Sequence, residues 1–153
     1  PETPADLQVS GLGMNPDELS ANPRLAERVV RDLNACATLP GRDDSFDCVF
    51  NNTSIEYLVQ PAAVLAEVRR VLRPGGVFAV TFSDRWFPPK AIRVWRQIHP
   101  FERLALVLGL LLQAGFRDLH SETLRGVRRP QDDKYSSQRE FSDPLFAVWG
   151  RKP

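Results

Sequence analysis

The sequence has few of the residues that build disulfide-linked or metal-bound proteins. Its 153 residues include two cysteines, two histidines and one methionine. Cys36 and Cys48 form neither a disulfide framework nor a zinc-ligand spacing, so no metal is expected. We expect both to be reduced thiols, with Cys48 packed as a small core residue in a strand. Reduced thiols favour a cytoplasmic location.

An excess of one charge and a long apolar run are also absent. Twenty basic and 19 acidic side chains leave a formal net charge of +1, which gives no support to nucleic-acid binding. The most apolar stretch, Leu104 to Leu112, is far shorter than the roughly 20 residues that cross a bilayer, so no membrane partner is expected. No basic-then-apolar leader is visible. The chain begins at Pro1 rather than at methionine. We therefore expect a processed or truncated protein at least as much as a complete one.

Strand and helix signals alternate along the chain. The clearest helix is predicted at 61–73, where apolar residues recur every three or four positions. A nearly continuous apolar run at 77–82 predicts a strand buried on both faces. Together these patterns predict one α/β domain over residues 1–153, with a mostly parallel sheet, helices on both faces and a closing hairpin. The other predicted strands are 7–12, 28–32, 46–50, 116–124 and 145–149.

Five segments, in the same order along the chain, resemble the central and carboxy-terminal segments of class I S-adenosylmethionine-dependent methyltransferases of the type 11 group. No single segment is decisive, but the ordered set is fairly specific. The matching segments are Leu39-Pro40, Ser45-Phe46-Asp47-Cys48-Val49, Glu56-Tyr57-Leu58, the run from Leu65 to Gly76 that ends in Arg-Pro-Gly-Gly, and the run from Leu111 to Phe116.

The resemblance implies a three-layer Rossmann-like fold, S-adenosylmethionine as cofactor and transfer of its methyl group to an acceptor. In this family seven strands lie in the order 3-2-1-4-5-7-6, and the cofactor crosses the carboxyl ends of the first strands. By position, the second strand's end meets the ribose, the third lies beside the adenine and the fourth lies near the methionine portion. The corresponding residues are Gly11, Gly13, Met14 and Asn15, then Asp32, Leu33 and Asn34, then Asn51, Asn52 and Thr53.

The sequence departs from the family pattern in two places. Gly13 stands where the family usually has an acidic residue that binds both ribose hydroxyls, and Asn15 is the nearest substitute. The first strand and its glycine-rich loop have no counterpart before Leu7. An additional amino-terminal segment, a strand exchanged with a second copy in a homodimer, or direct pairing of the flanking strands would fill the gap. The alternative function is therefore a catalytically silent scaffold that acts through protein–protein contacts.

The acceptor side is less readable from the sequence. No residue is a convincing general base, and neither His99 nor His120 is expected to be catalytic. The aromatic residues Trp86, Phe87 and Trp95 either line an acceptor pocket or belong to the core. The polar connection 126–143 is long for a hairpin, which is typical of functional flaps and of mobile loops.

Overall fold

The computed structural model describes residues 7–153, which fold as an α/β domain. None of the helices in this part of the chain is long and apolar enough to cross a membrane. The elements are β1 (Val9–Gly13), α1 (Pro16–Ala21), β2 (Leu25–Val30), β3 (Phe46–Asn52), a 3-10 turn (Ile55–Tyr57), α2 (Pro61–Val71), β4 (Leu72–Ser83), α3 (Arg93–Gln97), α4 (Pro100–Gln113), β5 (Arg117–Leu124) and β6 (Leu145–Arg151).

The strands form two sheets. β1 and β2 pair in parallel, and the other four lie in the order β3-β4-β6-β5. Within the larger sheet only β6 runs against the others, so the predicted hairpin at one edge is confirmed. The order corresponds to family positions 3-2 and 4-5-7-6. No residue from 7 to 153 forms a strand between β1 and β3, and direct pairing of these flanking strands, one of the three predicted ways to fill the gap, does not occur.

Side-chain hydrogen bonds connect the segment after β2 to the turn after β3 and to helix α2. The Asn34 side chain donates from Nδ2 to the carbonyl of Tyr57 at 3.0 Å and accepts from the amide of Val59 at 2.8 Å. Further along, the amide of Leu39 donates to Glu67 Oε2 at 2.9 Å, and Arg70 donates to the carbonyl of Leu39 at 3.0 Å. The segment after β2 is therefore fixed against α2 and the turn after β3.

The core lies on one face of the four-stranded sheet. Alternate residues of β4, among them Phe78, Val80 and Phe82, are almost completely buried. They lie beneath α2 and α4, which contact each other. The prediction that this strand is buried on both faces is wrong, because the intervening residues are only half-buried.

Two local predictions need correction. Cys48 is exposed rather than part of the core, because it lies with Phe50 on the face of β3 opposite α2 and α4, and Phe50 itself is 59% exposed. The helix predicted at 61–73 ends at Val71, since Leu72 is already extended, and β4 begins there. Gly75 then adopts the left-handed φ of 79°, which suits glycine.

Candidate functional site

The predicted cofactor residues lie at the carboxyl ends of β1, β2 and β3 or directly after them. In open α/β sheets these ends form the edge where ligands bind. The bonds from Asn34 to Tyr57 and Val59 bring the end of β2 beside the turn that follows β3. The two sheets therefore present these residues near one another although their strands do not pair.

At the end of β1 the two glycines have different environments. A Cβ on Gly11 would lie 2.5 Å from Leu25 Cδ1, so a side chain there would force Leu25 to move. A Cβ on Gly13 would meet only Leu19, at 3.8 Å or more, and this position is open to a side chain. The adjacent Met14 is 69% exposed.

Asn15 caps the following helix. Its Oδ1 accepts from the amides of Asp17 and Glu18 at 3.0 and 3.5 Å at the start of α1. This is the usual N-cap arrangement, which satisfies amides that have no partner within the helix. Asn15 Oδ1 is therefore already engaged, which weakens the residue as a substitute for the family's acidic side chain.

The end of β2 offers one carboxylate oxygen. Asp32 Oδ1 accepts from the amide of Asn34 at 2.8 Å, while its Oδ2 has no hydrogen bond to any other described residue. Leu33 packs against the core, and both polar atoms of the Asn34 side chain are used in the bonds to Tyr57 and Val59. Asp32 is thus the side chain of this group with capacity for a ligand.

At the end of β3, the side-chain oxygen of Asn51 is free, whereas that of Asn52 is engaged. Asn52 Oδ1 accepts from Thr81 Oγ1 at 2.7 Å, and the amide of Thr53 donates to the carbonyl of Thr81 at 2.8 Å. Thr53 has a φ of 45°, an uncommon conformation for a β-branched residue. Asn51 Oδ1 is buried and has no hydrogen-bond partner among the described residues.

Glu56 was not predicted as a site residue, and Trp95 was predicted either to line an acceptor pocket or to belong to the core. Within residues 7–153, the buried side-chain polar atoms without a partner are Asn51 Oδ1, Glu56 Oε2 and Trp95 Nε1. All three lie at the same end of the sheet. Asn51 pairs with Val80 on the covered face, and the ring of Trp95 contacts that of Phe82, two residues further along β4, at 5.1 Å.

Arg103 supplies the positive charge next to these atoms. It is 7% exposed and lies between the rings of Trp86 and Trp95, at 5.4 and 5.5 Å from their centroids. Its Nε donates to the carbonyl of Trp95 at 3.2 Å, and its Nη1 lies 3.8 Å from Asp84 Oδ1. The guanidinium is therefore held in a mostly buried position at the end of β4.

Burial shifts the acid–base properties of this cluster. It raises the pKa of Glu56, and the opposing effects of its own amide and of Arg103 are smaller. It also raises the pKa of Asp84 and lowers that of Arg103. A signal in the sequence for Glu56 is an acid inside the apolar stretch Ile55-Glu56-Tyr57-Leu58, but its electrostatic interaction with Arg103 joins elements far apart in the chain.

The segment after β4 folds over the turn after β3. The amide of Phe87 donates to Tyr57 Oη at 3.1 Å, and the amide of Ile92 donates to the carbonyl of Glu56 at 2.9 Å. Of the aromatic residues with two predicted roles, Trp95 belongs to the core, whereas Phe87 is 67% exposed. The backbone of this segment therefore encloses Glu56.

The connection between β5 and β6 is tied to the same segment. Asp143 forms ion pairs with Arg85 at 3.2 Å and with Arg139 at 3.0 Å. The guanidinium of Arg85 also lies 5.2 Å from the ring centre of Tyr135. These contacts place the long polar connection beside the loop that follows β4.

Residues 4–80 match the family model described as "Methyltransferase domain". The chain belongs to this methyltransferase family. A protein of Mycolicibacterium smegmatis named "Probable S-adenosylmethionine-dependent methyltransferase" is 43% identical over 117 residues, which cover 73% of this chain and 45% of that protein. A Mycobacterium ulcerans protein named "Probable phthiotriol/phenolphthiotriol dimycocerosates methyltransferase 2" is 38% identical over 89 residues, 58% of this chain and 31% of that protein.

The methyltransferase fold is shared with solved structures. One is an S-adenosylmethionine-dependent methyltransferase from Archaeoglobus fulgidus, with a TM-score of 0.61 at 15% identity over 93% of this chain and 75% of that one. The predicted methyltransferase family and its Rossmann-like fold are thereby confirmed. S-adenosylmethionine, the predicted cofactor, is the one named for the Mycolicibacterium smegmatis relative. The chain spans half or less of the length of the curated relatives described above.

Proposed function

We propose that this methyltransferase domain binds S-adenosylmethionine at the carboxyl ends of β1, β2 and β3 and transfers its methyl group to an acceptor at the ends of β3 and β4. The observation that carries the proposal is the concentration of unpaired polar atoms at this edge. Asn51 Oδ1 is buried and has no partner in the described chain, although buried polar groups in folded proteins nearly always have one. The half-buried Asp32 adds a second carboxylate oxygen, Oδ2, that accepts no hydrogen bond from the described residues.

The residues at the ends of β1 and β2 fit the nucleoside half of the cofactor. An open glycine at Gly13 leaves room for a ribose close to the backbone, and a carboxylate oxygen at Asp32 accepts hydrogen bonds from a hydroxyl or an amino group. Asn51 would similarly accept a hydrogen bond from the amino group of the methionine portion. These assignments rest on the family resemblance together with the free acceptor atoms.

In this proposal the chain contributes mainly by positioning. S-adenosylmethionine supplies a methyl group on a sulfonium, and the methyl moves in line between donor and acceptor. Holding the two in that alignment lowers the barrier by about 7–11 kcal/mol in the most favourable cases. Asp32 and Asn51 fix the donor, while the segment after β4, pinned by Tyr57, closes over the acceptor side.

Titration calorimetry with S-adenosylmethionine and S-adenosylhomocysteine tests the cofactor site. We expect binding in the micromolar range, weakened about tenfold or more by Asp32→Ala, because loss of a charged hydrogen-bond acceptor costs about 1.5–3 kcal/mol. Asp132→Ala, in the polar connection between β5 and β6, is the matched control and should bind like the wild type. An unchanged affinity in Asp32→Ala would remove Asp32 from the site, and a folded chain that binds neither ligand would contradict the proposal.

A catalytically silent scaffold is the second candidate. It is favoured by Gly13, which offers no side chain to the ribose, and by the edges of β1 and β3, which no described strand covers. Unpaired strand edges are surfaces for strand exchange with a second copy. Light scattering on the purified chain tests this candidate, since a strictly monomeric, folded chain would argue against strand exchange.

We propose a cytoplasmic location, which the two free and exposed thiols support.

A further inference from the structure

The unpaired polar atoms near the ends of β3 and β4 include both hydrogen-bond acceptors and a donor. Glu56 Oε2 and Asn51 Oδ1 are oxygens, whereas Trp95 Nε1 is a donor. Glu56 and Trp95 are each 1% exposed. Two buried side chains on different elements thus lack partners at the same end of the sheet.

Arg103 forms no ion pair with Glu56, although its charge partly offsets the effect of burial on that carboxyl. Its ion pair, at 3.8 Å, is with Asp84, and its Nε is bonded to the carbonyl of Trp95. The charged and titratable groups that interact with Glu56 are Arg103 on α4 and the neighbouring Tyr57, and Asp84 after β4 lies on the other side of Arg103's ion pair. Leaving a buried carboxyl unpaired is costly to stability, and functional groups are often retained at such a cost.

We propose that Glu56 takes the proton from a neutral hydroxyl acceptor during methyl transfer, with Trp95 Nε1 as a donor that orients the acceptor. This inference rests on the proposed function. Glu56 and Asp84 would repel an anionic acceptor. A base is needed only by an acceptor that must lose its proton, which favours a neutral hydroxyl. The rings of Trp86 and Trp95 give the acceptor an apolar surface.

The step balances without a further reactant. The acceptor oxygen forms a bond to the methyl carbon while the bond from that carbon to sulfur breaks, and sulfur keeps the electron pair. The hydroxyl proton passes to the ionised carboxylate of Glu56. Burial raises the pKa of Glu56, and a carboxylate whose pKa lies closer to neutral pH is a better base than an exposed one.

Thermal unfolding of Glu56→Gln against pH tests the carboxyl without cofactor or acceptor. Because folding raises the pKa of Glu56, its ionisation destabilises the folded chain as the pH rises from the unfolded-state pKa through the folded-state pKa. We expect Glu56→Gln to unfold at a higher temperature than the wild type, by a margin that grows from pH 5 to pH 8. A variant that is less stable than the wild type throughout this range would show a structural role and overturn the proposal.

Glu67→Gln is the matched control. Glu67 lies on α2 outside the cluster, and hydrogen bonds from Arg70 and the Leu39 amide lower its pKa. Its stabilising effect is present above the unfolded-state pKa and is lost as the pH falls through the folded-state pKa. Glu67→Gln should therefore be less stable than the wild type, most clearly near neutral pH, which is the opposite trend to Glu56→Gln.

A methyl-transfer assay tests the acceptor class. Labelled methyl from S-adenosylmethionine is offered to three hydroxyl compounds (phenol, 1-naphthol and 1-dodecanol) and to the three matching amines (aniline, 1-naphthylamine and 1-dodecylamine). We expect transfer to the hydroxyl compounds, at a rate that rises with pH in the wild type. Glu56→Gln should lose about 100-fold or more of this rate and its pH dependence, with cofactor affinity within about twofold of the wild type.

Transfer confined to the amines, transfer to none of the six compounds, or an unchanged rate in Glu56→Gln would overturn the proposal. Failure of the wild type to bind S-adenosylmethionine would instead refute the proposed function. In that case the unfolding comparison between Glu56→Gln and Glu67→Gln still decides whether Glu56 is held at a cost to stability.

Discussion

Restoring an acidic side chain at Gly13 should strengthen cofactor binding. The end of β1 has room for it, since a Cβ there meets only Leu19 at 3.8 Å or more, and Gly13 is not among the residues with positive φ. A carboxylate that accepts from ribose hydroxyls contributes about 1.5–3 kcal/mol. Gly13→Asp should therefore bind S-adenosylhomocysteine about 10- to 100-fold more tightly than the wild type, measured by titration calorimetry.

Two further variants isolate the cause of that gain. Gly13→Asn has the same shape without the charge and should gain less. Gly11→Asp places its Cβ 2.5 Å from Leu25 Cδ1, so it should lower the unfolding temperature and bring no gain in affinity. If Gly13→Asp unfolds within a few degrees of the wild type yet binds no more tightly, the end of β1 does not meet the ribose, and the cofactor assignment at β1 is wrong.

Two stability predictions test the packing. Leu111→Ala removes a fully buried α4 side chain and should reduce the free energy of unfolding by about 2–5 kcal/mol. Leu112→Ala, at a site 55% exposed, should change it by about 0.5 kcal/mol or less. Equal effects of the two variants in urea denaturation would contradict the described core. Asn34→Ala removes the bonds to Tyr57 and Val59. It should lower the free energy of unfolding by about 1–3 kcal/mol and weaken cofactor binding. Asn15→Ala removes the cap of α1 and should lower the free energy of unfolding by about 1 kcal/mol. An Asn34→Ala chain as stable as the wild type would contradict the proposed connection between the sheets.

Much of the fold could be predicted from the sequence because local patterns determine it. Pro61 and the apolar spacing that follows predict α2, and the apolar run at 77–82 predicts the buried part of β4. The burial of individual strand faces could not be predicted, because it depends on which face α2 and α4 cover. Cys48 illustrates this limit, since its strand was predicted correctly and its exposure was not.

The strand ends that would form the proposed site were predictable, but the side-chain atoms left free there were not. The ends of β1, β2 and β3 were expected to carry the polar residues, and the strands do end there. Which side chains keep a free atom depends on tertiary contacts. Asn15 caps a helix, and Asn34 bridges to the turn after β3, so neither is as available as its residue type suggests. Glu56 was missed because its burial and its electrostatic interaction with Arg103 depend on segments far apart in sequence.

The proposed site has two parts, an acceptor side and a cofactor side, which differ in how far the described chain encloses them. On the acceptor side, Glu56, Trp95 and Arg103 are enclosed by elements of the four-stranded sheet and its helices, all within the described chain. On the cofactor side, Gly13 is open and the free edge of β1 is covered by no strand of the described chain. The Asn34 bonds join the two parts. In the proposed function, substitutions at Gly13 and Asp32 should therefore change cofactor affinity, whereas substitutions at Glu56 should change methyl transfer to the acceptor.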